Sequence, residues 1–138
     1  MDNQLEVRNL NAFLYNIDDN DTVESIISRI LYYLSKKRKK LRENVGENVV
    51  MPMAIIKSSA INVLQVVISR LKERIKKEIK DKNISKKLIL ELEMIENIIN
   101  LFMEKFINQP QVIIREIIDL YEQIKYKMKN IQDIFYKI

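Results

Sequence analysis

Residues 52–82 read PMAIIKSSAINVLQVVISRLKERIKKEIKDK, and the stretch changes character halfway. Its first half, up to Ile68, is apolar on nearly every side, as a rod buried among neighbours would be. Its second half narrows to a thin apolar line inside a mostly positive sheath. Leu64, Val67, Leu71, Ile75 and Ile79 keep one seam by steps of three and four, the mark of an amphipathic helix. Pro52 suits the first helical position, where its missing N–H costs nothing. One long helix over 52–82 is therefore expected, with a core-forming half and a basic half. Lys72, Lys76 and Lys80 fall one turn apart, and Glu73–Lys77 and Glu78–Lys82 offset their repulsion at the favourable spacing.

The flanking segments repeat the helical pattern. Val23, Ile26, Ile27, Ile30, Leu31 and Leu34 mark a helix over 22–45, with Asp21 and Glu24 as a capping box and Gly46, the sole glycine, as its C-cap. Asp81–Lys82–Asn83 reads as a turn and Ser85 as the cap of a helix over 86–107. Its seam is Leu88, Leu92, Ile95, Ile99, Phe102 and Phe106, and Glu91, Glu93, Glu96 and Glu104 make it acidic. Pro110 opens a last helix, 110–137, whose heptad seam runs through Ile114, Ile117, Tyr121, Ile124, Met128, Ile131, Phe135 and Ile138. Leu5, Val7, Leu10, Phe13 and Leu14 fit a short leading helix or arm over 3–15.

A chain of 138 residues suits one domain. One glycine and two prolines are too few for the many turns of a sandwich, barrel or doubly wound sheet. The expected fold is all-α: an up-down four-helix bundle with a short N-terminal helix or arm, because short links make sequential helices antiparallel neighbours. With no Cys and no His, disulfides, thiolate catalysis and imidazole chemistry are excluded. The single glycine excludes the glycine-dependent phosphate and nucleophile motifs. Carboxylates alone remain as metal ligands, for hard ions, and no cofactor, metal or catalytic residue is assigned. Met1–Arg8 is polar, unlike a signal peptide, and no apolar run approaches the ~18 residues of a membrane span. An intracellular or virion location is expected.

Net charge is +5, with eight basic and three acidic residues in 51–84 supplying the excess. Two basic runs stand out: Lys36, Lys37, Arg38, Lys39, Lys40 and Arg42, and then Arg70, Lys72, Arg74, Lys76, Lys77 and Lys80. In antiparallel neighbours these runs lie at opposite poles, a geometry suited to a repeated subunit that neutralises phosphates without reading bases. Tyr32, Tyr33 and Tyr126, beside lysines, are candidates to stack on bases, though their helical spacing fits packing better. An acidic face on another protein or another copy is the alternative partner. The last helix's seam, Ile114 to Ile138, is the candidate self-association surface, together with the off-seam Met53, Ile56, Ile68, Leu90, Leu101 and Ile118.

In size, all-helical design and lack of Cys and His, the chain resembles the small helical-bundle coat and virion proteins of archaeal viruses, which assemble as helical arrays around or near DNA. Residues 68–102, ISRLKERIKKEIKDKNISKKLILELEMIENIINLF, look like the helical domain of archaeal GINS replication subunits, where a basic helix precedes an acidic one. The first resemblance implies a non-enzymatic, self-assembling structural protein, a capsid or nucleoprotein building block that forms a homo-oligomer or polymer. The second implies an adaptor that binds a replication or transcription complex.

Overall fold

The computed structural model describes residues 10–137. Residues 10–15 are helical, followed by α1 (Val23–Lys40) with a π-helical turn at Leu41–Val45, β1 (Val50–Pro52), and α2 (Met53–Glu78), interrupted by a π-helical turn at Lys57–Ile61. Then come α3 (Lys82–Glu104), β2 (Gln111–Ile113) and α4 (Ile114–Tyr136). The predominantly helical class expected from the sequence holds. The two-stranded sheet was not expected.

Local chemistry explains where each helix begins. Thr22, one residue after the expected cap, accepts from the Ser25 N–H at 3.1 Å, and Ser25 Oγ accepts from the Thr22 N–H at 2.9 Å. The capping box is therefore Thr22 with Ser25, not Asp21 with Glu24. Asp21 instead accepts from the Asp18 N–H at 2.9 Å and from Ser25 Oγ at 3.0 Å. Its carboxyl is held below the ordinary range, chiefly by the Asp18 N–H. α3 starts at Lys82 rather than 86, because Asp81 is extended and its carboxylate takes the N–H groups of Asn83 and Ile84 at 2.9 and 3.2 Å. The expected Ser85 cap lies inside the helix.

Neither proline opens a helix directly. Pro52 ends β1 and Pro110 precedes β2, which pairs antiparallel in the register Val50↔Ile113, Met51↔Val112 and Pro52↔Gln111. The Met53 N–H donates to Pro110 O at 2.6 Å and the Ile114 N–H to Val49 O at 2.9 Å, so the ribbon ties the starts of α2 and α4 together. Gly46, at φ 107°, turns the chain into this ribbon, and its N–H closes the π-helical turn on Leu41 O at 2.8 Å.

α1 packs against α2 and α4, and α3 packs against the same two helices. Cross-bonds give the directions. Arg38 near the end of α1 pairs with Glu122 in the first half of α4, and Tyr136 at the end of α4 donates to Glu24 at the start of α1 at 3.1 Å. The Val23 N–H donates to Glu78 Oε1 at 3.1 Å, joining the start of α1 to the end of α2. Lys72 reaches Glu96 at 2.7 Å and Lys127 reaches Glu91 at 3.9 Å, so α3 runs opposite to both α2 and α4. One pole therefore holds the start of α1 and the α2–α3 turn. The other holds the end of α1 and the β-ribbon.

The seams read from the sequence form the core between these helices. Val63, Leu64, Val67, Ile68, Leu71 and Ile75 of α2 are all buried, each such side chain contributing about 1.5–3 kcal/mol. By length and composition Met53–Glu78 is apolar enough to cross a membrane; in this fold its seam residues are buried among the other helices, while Ile55 and Val66 are exposed. Met53, Ile56, Ile68 and Ile118, expected off the seams, are buried in the same core, while Leu90 and Leu101 are exposed.

Candidate nucleic-acid interface

The turn between α2 and α3 carries the densest exposed positive charge. Residues 76–87, KKEIKDKNISKK, hold six lysines against Glu78 and Asp81. Both carboxylates are engaged in the fold: Glu78 with the first N–H of α1, and Asp81 with the first N–H groups of α3. Ile79 and Ile84 pack against the core and anchor the turn. Lys76 lies 3.3 Å from Glu73. Lys77, Lys80, Lys82, Lys86 and Lys87 are exposed and without an ion-pair or hydrogen-bond partner among the described residues. Lys76 and Lys77 suit the negative end of α2, but Lys82, Lys86 and Lys87 stand at the positive end of α3, where cations are unfavourable. Helix stability does not account for them.

The rest of the second basic run serves the fold. Arg70 donates to Tyr15 O at 2.9 Å. Arg74 donates to the carbonyls of Asp18, Asp19 and Asp21 at 3.0, 3.0 and 2.6 Å, clamping the loop before α1. Lys72 is ion-paired with Glu96, so the ridge of Lys72, Lys76 and Lys80 is not a uniform solvent face.

The first run lies at the opposite pole and is divided in use. Lys36 sits over the Tyr32 ring at 5.6 Å, Arg38 pairs with Glu122, and Arg42 bonds Glu47 at 3.1 Å. Lys39 is exposed and Lys40 is half-buried. Lys37 does not belong to a contact surface: it is only 6% exposed. Its Nζ lies over the Tyr33 ring at 5.5 Å. Burial, with Lys40 nearby, pushes its ammonium down to about 8.

Tyr33 is also removed from any surface role. It is fully buried, and its hydroxyl donates to Asn11 Oδ1 at 2.8 Å. Tyr32 is half-exposed against Phe13, and Tyr126 is exposed among Lys125, Lys127 and Lys129.

The proposed self-association seam is corrected as well. Ile114, Ile117, Tyr121, Ile124, Met128 and Ile131 are buried within one chain, and Phe135 packs partly against the same core. From Ile114 to Ile131 the seam is therefore occupied by neighbours in its own chain. Ile138, the end of that seam, lies outside the described residues, as do residues 3–9 of the expected leading helix.

Lys82, Lys86 and Lys87 are candidate contact residues absent from the set expected from the sequence. The signal was there, in a KDKNISKK string that reads as a turn leading into an acidic helix. No protein-family model, curated protein or solved structure matches the chain.

Proposed function

We propose that this chain is a non-enzymatic, self-associating structural protein, a virion or nucleoprotein building block. Its four long helices make an up-down bundle, and its lysine turn contacts nucleic-acid backbone. The antiparallel sense of each packed helix pair supports the bundle. The observation that carries the function is the α2–α3 turn, where the carboxylates are engaged at helix ends and five lysines are left facing solvent.

Such a turn offers charge without a base-reading side chain, so binding is expected to be independent of sequence and strongly salt-dependent. Fluorescence anisotropy with a duplex of arbitrary sequence, titrated across salt concentrations, tests this. Absence of binding even at low salt contradicts it. Binding to an acidic protein in place of DNA would move the assignment to an adaptor role.

A further inference from the structure

α3 carries two apolar stripes. Leu88, Leu92, Ile95, Ile99 and Phe102 face the core. Leu90, Met94 and Leu101 lie on the opposite face and are 53%, 46% and 52% exposed. With Asn97 between Met94 and Leu101, this outer stripe steps by four, three and four, the repeat of a helix that packs lengthwise on another helix. One step beyond each end of the stripe stand Lys87 and Glu104. Both side chains are exposed and without an ion-pair or hydrogen-bond partner among the described residues.

We propose that two copies of the chain associate through this outer face of α3, antiparallel about a two-fold axis, with Leu90 against the partner's Leu101. This deepens the self-association reading above and rests on it. The register follows from the one pairing: Met94 meets the partner's Asn97, and in the next layer outward Lys87 meets the partner's Glu104. The symmetry repeats each contact, so the apolar centre is closed at both ends by an opposite-charge pair.

The alternatives are disfavoured by the same residues. A parallel pairing in register stacks Lys87 on the partner's Lys87 and Glu104 on the partner's Glu104. A partner of uniform charge satisfies only one end of the stripe. A second copy running the other way satisfies both, because one helix supplies a cation at one end and a carboxylate at the other. The lysine turns of the two copies then lie at opposite ends of the α3 pair; Lys87 of each is taken up by the partner's Glu104, and Lys77, Lys80, Lys82 and Lys86 stay open to nucleic acid.

The natural chain has no cysteine, so introduced thiols report the geometry directly. In the double variant L90C/L101C, mild oxidation or a short thiol cross-linker is expected to give covalent dimers whose peptides join position 90 to position 101. Links of 90 to 90 and 101 to 101, or no covalent dimer, overturn the antiparallel α3 pairing. In sedimentation of the cysteine-free protein, L90E/L101E is expected to abolish association. K87E alone is expected to weaken it about tenfold, and K87E/E104K to restore it. If the unmodified protein associates and L90E/L101E associates equally well, the α3 interface is wrong while self-association stands. If the unmodified protein stays monomeric at every concentration, both fail.

Discussion

The Nζ of Lys37 on α1 lies 3.5 Å from the carbonyl oxygen of Ser59, inside the π-helical turn of α2. The same oxygen accepts the side-chain amide of Asn11 at 2.8 Å, and Asn11 in turn accepts from Tyr33. A π-helical turn inserts a residue and redirects carbonyls that a regular helix would keep to itself. The redirected carbonyl is where the N-terminal segment, α1 and α2 are joined.

The position of Lys37 makes stability pH-dependent. Its folded pKa of about 8 lies below the ordinary 10.5, so between those values the unfolded chain holds a proton that the folded chain lacks. Stability should therefore rise as pH goes from about 8 towards 10. Above 10 the trend reverses, because burial pushes the phenols of Tyr33 and Tyr121 well up and only the unfolded chain ionises them. Urea midpoints measured across pH check both limbs. Lys37→Met should remove most of the rising limb, leaving the smaller share of Lys125, whose ammonium is also pushed down by desolvation. It should add about 1–3 kcal/mol at pH 7 by deleting a buried charge, without changing DNA affinity.

A separate expectation concerns the lysine turn. Each phosphate contact contributes roughly 0.9 to the slope of log affinity against log salt on duplex DNA. K77Q/K80Q/K82Q should therefore flatten that slope by about 2–3. Arg74→Gln should leave the slope unchanged and instead cost roughly 1–3 kcal/mol of stability, since three loop carbonyls lose their donor. If the two variants had the same effect on the slope, the division of the basic run into structural and contact residues would be wrong.

The α4 seam makes a further check. Ile124 is fully buried within one chain, so Ile124→Ala should cost about 2–5 kcal/mol. Because the cavity forms inside the subunit, the loss in denaturant midpoint should be the same at low and high protein concentration. A loss that appears only at high concentration would return the seam to an interface between subunits.

Much of the helical architecture was legible in the chain because period and burial agree. The seam residues of α2 and α4, Leu64 to Ile75 and Ile114 to Ile131, are buried as their spacing required. What was not legible depended on competition between local groups. Thr22 out-competed Asp21 for the cap, and Asp81 made Ser85 unnecessary. Pro52 and Pro110 looked like helix openers, yet the ribbon they border is set by pairing between segments some sixty residues apart. The site was half legible. Six adjacent cations looked alike in Lys36–Arg42, and only the packing of Tyr33 and the widened turn at Ser59 separate Lys37 from its neighbours. In the other run the functional distinction lies in where carboxylates are engaged, which composition alone does not contain.

Sedimentation velocity of the unmodified protein over a wide concentration range tests the central claim, that this is a subunit made to associate, most directly. A self-associating subunit gives a species that grows from the 16.5 kDa chain towards twice that mass or beyond as concentration rises. A single 16.5 kDa species at every concentration would contradict it.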